Sequence, residues 1–161
     1  MRLPSSIREQ LLRAGTDYLN AKSVGPDQRT ASAAFLVVAC EALKPTGGRY
    51  NKLNIYNVIE SLLGPNEAKR LRELSVHPQR VRHGHLHRGE LVAGELLSML
   101  VRDHFMDPSF DEMLTELSAI SRMCLIEWLR CGGSYSVVRL PCATPTQAAR
   151  MKPSGPNPTR G

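Results

Sequence analysis

The amino-acid sequence predicts an all-α fold. Apolar residues recur at helical spacing over several segments, and turns rich in glycine and proline separate those segments. Only residues 136–140 have the pattern of a short strand, and no partner strand is evident. The chain has 161 residues, which favours one domain that buries its core without disulfides. Because only 5% of the residues are aromatic, that core is expected to be largely aliphatic.

The first two helices are predicted from their capping and apolar patterns. The first begins after Ser5-Ser6, because Glu9 follows Ser6 at the spacing of a capping box. The second covers about residues 28–44, with Asp27 as its N-cap. It is apolar over most of its surface, which predicts a place in the middle of the bundle. The apolar set of the first helix is Ile7, Leu11, Leu12, Tyr18 and Leu19.

Four more helices are predicted at about 53–63, 66–75, 89–104 and 110–131. His77-Pro78 is expected to end the helix at 66–75, just before a histidine-rich stretch. The last helix carries an apolar stripe that ends at Trp128. Beyond it, five prolines among small polar residues predict a disordered, basic tail over 141–161. The predicted folded domain is therefore 1–140.

The net charge of +6 belongs mainly to the C-terminal part of the chain. Residues 132–161 carry four basic side chains and no acidic ones, which leaves 17 basic and 15 acidic residues in 1–131. Charge alone therefore does not indicate a nucleic-acid-binding surface. No apolar run approaches the roughly 18 residues of a membrane span, and the N-terminal residues lack the apolar stretch of a signal peptide. A cytoplasmic protein without membrane contacts is expected.

Four cysteines are present, and no two of them form a Cys-x-x-Cys pair. Cys40 lies in an apolar helical run, and Cys124 and Cys131 are seven residues apart on one predicted helix. Buried free thiols are expected for the cysteines, including Cys142, rather than two disulfides or a zinc site.

The side chains best suited to catalysis or binding are clustered around His83, His85 and His87, which arginines flank on both sides. The stretch is expected to precede a helix that starts near Gly89, where free backbone N–H groups attract phosphate. A histidine can transfer a proton near neutral pH, and an arginine matches phosphate oxygens with a planar fork. These groups suffice for metal-independent RNA cleavage. A solvated basic turn and a His-x-His-x-His metal site are the alternatives.

The segment Arg82–Gly89 resembles the signature of HEPN domains, in which a histidine follows an arginine after four to six residues. Residues 34–43, an apolar run that ends in Glu-Ala-Leu, are similar to the early helix of that family, particularly its Apea-like branch. The resemblance is best supported over 28–131. It implies an up-and-down HEPN-like helical bundle that forms a homodimer, in which two copies of the motif build one positively charged cleft.

The resemblance also implies roles for individual residues. Arg82 and His87 would form the catalytic pair, with His83 as the polar neighbour of the arginine. Glu41 would orient Arg82 through an ion pair. The flanking residues Arg80 and Arg88 would bind RNA. The register stays open, because Arg80 paired with His87 or with His85 also fits the family spacing.

The activity that the resemblance implies is metal-independent endoribonuclease action, as in toxin–antitoxin or antiviral defence systems. The ribose 2′-hydroxyl attacks the adjacent phosphate, leaving a 2′,3′-cyclic phosphate and a 5′-hydroxyl. No metal and no cofactor is expected. The expected partners are RNA, a second copy of the chain and an antitoxin or other protein. The alternative is a non-catalytic HEPN-like module that binds nucleotide, RNA or a protein.

Overall fold

A computed structural model describes residues 4–25, 28–45, 50, 53–89 and 108–137 of the chain. Within these ranges the regular structure is six helices and no strand, which confirms the predicted all-α class. The helices are α1 (Ser5–Ser23), α2 (Arg29–Ala42), α3 (Ile55–Leu63), α4 (Pro65–Glu73), α5 (Pro78–Arg88) and α6 (Pro108–Arg130). None of these six is long and apolar enough to cross a membrane.

Helix α2 is the central helix, as its apolar surface predicts. It packs against α1, α3, α5 and α6. Small side chains such as Ala33, Ala34 and Ala39 are almost completely buried and let neighbouring helices approach closely. Larger side chains, Leu36 and Val37 among them, fill the space between those neighbours.

The core lies between α2, α3, α4 and α6. Its largest fully buried side chain is Trp128, near the C-terminal end of α6. An ion pair between Arg29 and Asp111 joins the start of α2 to the start of α6. Other core members from these helices include Ile55, Ile59, Leu71, Met113, Leu117 and Ile120.

Two predictions about α1 are wrong. The helix begins at Ser5 with Pro4 as its N-cap, and no side chain caps it, so the predicted Ser6–Glu9 capping box does not form. Leu12 and Leu19 are 63% and 66% exposed instead of facing the core. The buried stripe of α1 is narrower than predicted, and the buried residues of this helix are two small ones, Ala14 and Ala21. Ile7, Leu11 and Tyr18 do pack against the core, half-buried.

Other helix ends follow local capping chemistry. Asn54 caps α3 and exchanges two hydrogen bonds with Asn57, so that each side chain accepts from the other's backbone N–H. Gly64, predicted to end that helix, does so at a φ of 101°. Gln28 is the N-cap of α2, and the predicted cap, Asp27, lies outside the described residues.

The thiol prediction is confirmed at two positions and wrong at a third. Cys40 and Cys124 are buried and free, on the facing helices α2 and α6. Cys131 is exposed, because it lies in the turn that follows α6 rather than on its buried side. Cys142 lies outside the described residues, as do residues 90–104 of the predicted helix 89–104, most of the predicted strand 136–140 and the predicted tail 141–161.

Candidate functional site on helix α5

The histidine-rich stretch lies inside a helix, α5. The helix before Pro78 ends ahead of it, at Glu73, as predicted, and Pro78 itself occupies the first turn of α5, where a missing N–H costs no hydrogen bond. Gly89, predicted to start a helix, ends this one with a left-handed φ of 63°. The histidines therefore lie near a helix C-terminus, which presents carbonyl groups and the negative end of the dipole. The predicted helix start that would offer N–H groups to phosphate falls on residues 90–107, outside the described residues, and within α5 the groups available to an anion are side chains.

The side chains of α5 divide between an outer and an inner side. Arg80, His83 and His87 follow one another at i, i+3 and i+7, so they share the outer side of the helix, and all three are exposed. Arg82 lies about 140° around the helix from His87, at 100° per residue. Arg82 is only partly exposed and belongs to the inner side, where α5 packs against α2.

The inner side of α5 faces Glu41, near the end of α2. Glu41 is the centre of a polar group with Arg82, Lys44 and Gln79, here called the inner cluster. Its carboxylate lies 3.5 Å from Arg82 Nη2 and 3.8 Å from Lys44 Nζ. It also accepts a hydrogen bond from Gln79 Nε2 at 3.3 Å. The Arg82–Glu41 ion pair that the resemblance implies is thus present. The pKa of Lys44 is lowered, mainly by burial and also by the Arg82 charge, although the Glu41 carboxylate acts to raise it. One carboxylate is therefore shared between two cations.

This inner cluster is not fully satisfied. The Nε atom of Arg82 and the Oε1 atom of Gln79 are buried without a hydrogen-bond partner in the described part of the chain. The guanidinium therefore holds Glu41 through one Nη contact rather than through a two-point fork. The pair links α5 to α2 and keeps the charge of Arg82 away from the outer side.

The outer side brings two imidazoles together. The ring centroids of His83 and His87 are 4.7 Å apart, with the ring planes tilted by 47°. His85 lies about 160° around the helix from both His83 and His87 and is half-buried, so the three histidines do not converge. Among the described residues, no three potential ligands of the His, Cys, Asp or Glu type come close enough to hold a metal ion.

A cavity of about 300 Å³ adjoins this outer side. Gln79, Arg80, His83 and Arg88 line it, and this described lining contains no carboxylate. Two predicted RNA-binding residues, Arg80 and Arg88, therefore share one cavity with one of the predicted site histidines. The cavity joins the two sides of the site, because Gln79 also donates to Glu41.

Two further residues belong to the site without having been predicted, Gln79 and Lys44. Gln79 stands four residues before His83, one helical turn away, a relation that appears only once Pro78 is recognised as the start of a helix. Lys44 stands three residues after Glu41 and just beyond the end of α2. No pattern in the sequence alone distinguishes this lysine from an ordinary helix-terminal one.

No protein-family model, no curated protein sequence and no solved structure matches the chain. The chemistry open to the site follows from its own groups. Two adjacent imidazoles, an arginine on the same side and a cationic cavity are suited to a phosphate substrate and to proton transfer.

Proposed function

We propose that the chain is a metal-independent endoribonuclease of the HEPN type, with the outer side of α5 as its active surface. The observation that carries the proposal is the 4.7 Å contact between the rings of His83 and His87, with Arg80 one turn earlier on the same side. Two neighbouring imidazoles can supply one proton acceptor and one proton donor in the same step. The arginine supplies a positive charge that persists throughout the reaction, because its guanidinium stays protonated.

In the proposed reaction, one imidazole of the His83–His87 pair takes the proton of a ribose 2′-hydroxyl. The 2′-oxygen forms a bond to the adjacent phosphorus, and the bond from phosphorus to the 5′-oxygen breaks. The other imidazole, protonated beforehand, gives its proton to that leaving oxygen. Arg80 stabilises the negative charge that develops on the phosphoryl oxygens. The products are a 2′,3′-cyclic phosphate and a 5′-hydroxyl, and no water is consumed.

The geometry favours Arg80, rather than Arg82, as the phosphate-stabilising arginine. Arg80 and His87 have six residues between them, which fits the spacing of the HEPN signature, and they lie on the same side of α5. Arg82 pairs with Glu41 on the inner side. We therefore assign Arg82 a positioning role: it fixes the rotation of α5 on α2 and so the direction in which the histidines point.

The biological setting is proposed from the resemblance alone. It suggests a homodimer in a toxin–antitoxin or antiviral defence system, and the proposed cytoplasmic location is taken from the sequence pattern instead. An antitoxin or another protein partner would keep the activity silent until it is needed.

The test is cleavage of a mixed pool of single-stranded RNA in excess EDTA, with product ends identified by mass spectrometry. His83→Ala, His87→Ala and Arg80→Ala should each lower the rate, by about 10²–10⁴-fold for the two histidines. His85→Gln is the matched histidine control, and Arg122→Ala, an exposed arginine on α6, is the matched arginine control. Both should cleave within a few-fold of wild type. Loss of cleavage in EDTA, or wild-type rates in all three outer-side variants, would refute the proposal.

The second function, a binding module without catalysis, gains support from one observation. The inner arginine is held by Glu41, so each α5 directs only one arginine of the Arg80–Arg82 pair to its outer side. RNA that binds this surface, depends on Arg80 and stays intact in every assay would identify that module.

A further inference from the structure

The cavity beside the outer side of α5 has a chemical character that cleavage alone does not require. Its described lining combines two guanidinium groups, Arg80 and Arg88, with the His83 imidazole and the Gln79 amide. Guanidinium forks match the geometry of phosphate oxygens, and the described lining has no carboxylate to repel an anion. The cavity therefore favours a phosphate-bearing ligand over a neutral or cationic one.

The size of the cavity indicates more than a free phosphate ion. Its volume of about 300 Å³ is at the lower end of the roughly 300–1,000 Å³ that small-molecule pockets occupy. An imidazole or guanidinium plane is also a surface on which an unstacked base can lie. His83 is therefore placed to contact a base as well as a phosphate.

We propose that this cavity is a nucleotide subsite: Arg80 and Arg88 bind the phosphate of one nucleotide of the RNA strand, and its base lies against His83. The inference rests on the proposed function in taking RNA as the natural ligand. It goes further in naming Arg88 as a substrate-positioning residue that takes no part in proton transfer. His83 and Arg80 belong both to the subsite and to the proposed active surface, so the nucleotide in the cavity adjoins the scissile phosphate and Arg80 contacts both phosphates.

The subsite is tested by titrating the full chain with adenosine 5′-monophosphate, adenosine and inorganic phosphate, by calorimetry or by NMR of the histidine ring protons. The monophosphate should bind at least about tenfold more tightly than adenosine or phosphate alone. Only the monophosphate can contact both the arginines and His83. Arg88→Gln should weaken that binding about tenfold or more, since one charged hydrogen-bond donor is lost. Arg122→Gln, the matched exposed arginine on α6, should leave it unchanged. Equal binding by wild type and Arg88→Gln overturns the subsite, and so does phosphate that binds as tightly as the monophosphate.

Kinetics separates the failure of this inference from the failure of the proposed function. With RNA as substrate, Arg88→Gln should raise KM and leave kcat within a few-fold, since the residue positions the strand and transfers no proton. If the chain never cleaves RNA but binds the monophosphate through Arg88, the ribonuclease proposal fails and the subsite stands. If RNA is cleaved with an unchanged KM in Arg88→Gln, the subsite fails and the ribonuclease proposal stands.

Discussion

The Arg82 guanidinium lies 3.5 Å from the Glu41 carboxylate and so ties the middle of α5 to the last turn of α2. The two side chains are only 26% and 14% exposed, which limits the screening of their attraction by water. Gln79 adds a second contact from α5 to the same carboxylate. Glu41 thus holds two side chains of α5, and we expect it to help fix the rotation of α5 about its own axis and with it the direction of the histidine pair.

Conservative and drastic changes at Arg82 should therefore differ in effect. Arg82→Lys keeps a cation facing Glu41 and should retain most RNA cleavage, whereas Arg82→Ala should lose most of it. If Arg82 instead contacted the phosphate, the lysine would lose the planar fork and most of the activity with it. Single-turnover rates of the two variants distinguish these roles. Loss of activity in Arg82→Lys at unchanged thermal stability would contradict the positioning role.

Neutralising Glu41, the partner of Arg82, should have the same effect on RNA cleavage as Arg82→Ala. Glu41→Gln leaves Arg82 and Lys44 near each other without their shared counter-charge, and should cost about 1–3 kcal/mol of unfolding free energy. It should also lower kcat more than it raises KM, because the histidines lose their alignment while the exposed arginines still bind RNA. Urea denaturation and steady-state kinetics measure the two effects. Unchanged stability would show that the ion pair does not hold α5.

Two adjacent glycines after α6 provide a matched pair for packing. Gly132 and Gly133 both have positive φ, at 62° and 75°, so alanine is strained at either position, by about 1–2 kcal/mol. A Cβ on Gly132 would meet nothing within 4 Å, whereas one on Gly133 would lie 2.8 Å from Ile7 and 3.0 Å from the Trp128 ring. Gly133→Ala should therefore destabilise the fold more than Gly132→Ala in thermal denaturation. Equal losses would show that Ile7 moves aside without cost.

Tyr135 connects the end of the described chain to α2. Its hydroxyl donates to the Leu43 carbonyl oxygen at 2.9 Å, and Tyr135→Phe should cost about 1 kcal/mol near neutral pH. Burial raises the pKa of Tyr135 above its ordinary value of 10.0. Its contribution is thus fully present below pH 10 and is lost as the pH rises above 10, because the unfolded chain ionises first. The stability difference between wild type and Tyr135→Phe should narrow above pH 10 in urea titrations, and a constant difference would contradict this.

The sequence predicted the core better than the site, and the reason is physical. Burial follows apolar periodicity, so the central position of α2 and the stripe ending at Trp128 were accessible from the pattern alone. Around Pro78 the same residue type permits two outcomes, a break or a first helical turn. The segment that follows has no apolar periodicity that would decide between them. The direction of the histidines depended on that choice.

The pairing of Arg82 with Glu41 shows the opposite case. No periodicity relates residues 41 and 82, and the contact was anticipated only through the family resemblance. Gln79 and Lys44 join the same carboxylate without any sequence signal, because their roles depend on how α5 and the end of α2 meet in space. Local sequence patterns do not predict contacts between helices that are far apart along the chain.

Removal of residues 141–161 should leave the melting temperature within a few degrees. The core cluster and the residues packed on it lie between Ile7 and Tyr135, among the described residues. The tail is rich in proline and lacks an apolar period, so it brings little apolar surface to bury. Differential scanning calorimetry of the full and shortened chains checks this. A large fall in melting temperature would place a stabilising contact in the removed segment.

Dimerisation is the prediction on which the composite cleft depends. One α5 presents two arginines, Arg80 and Arg88, beside its histidine pair, and two facing copies would double the positive charge around one RNA strand. These faces repel each other without RNA, so the polyanion should tighten the dimer, and salt should weaken that effect. Light scattering at tens of micromolar, with and without RNA, should give twice the mass of one chain. Cleavage per chain should then fall on dilution below the dissociation constant of the dimer. A monomer at these concentrations, or a rate per chain that does not change as the dimer dissociates, would mean that one α5 acts alone.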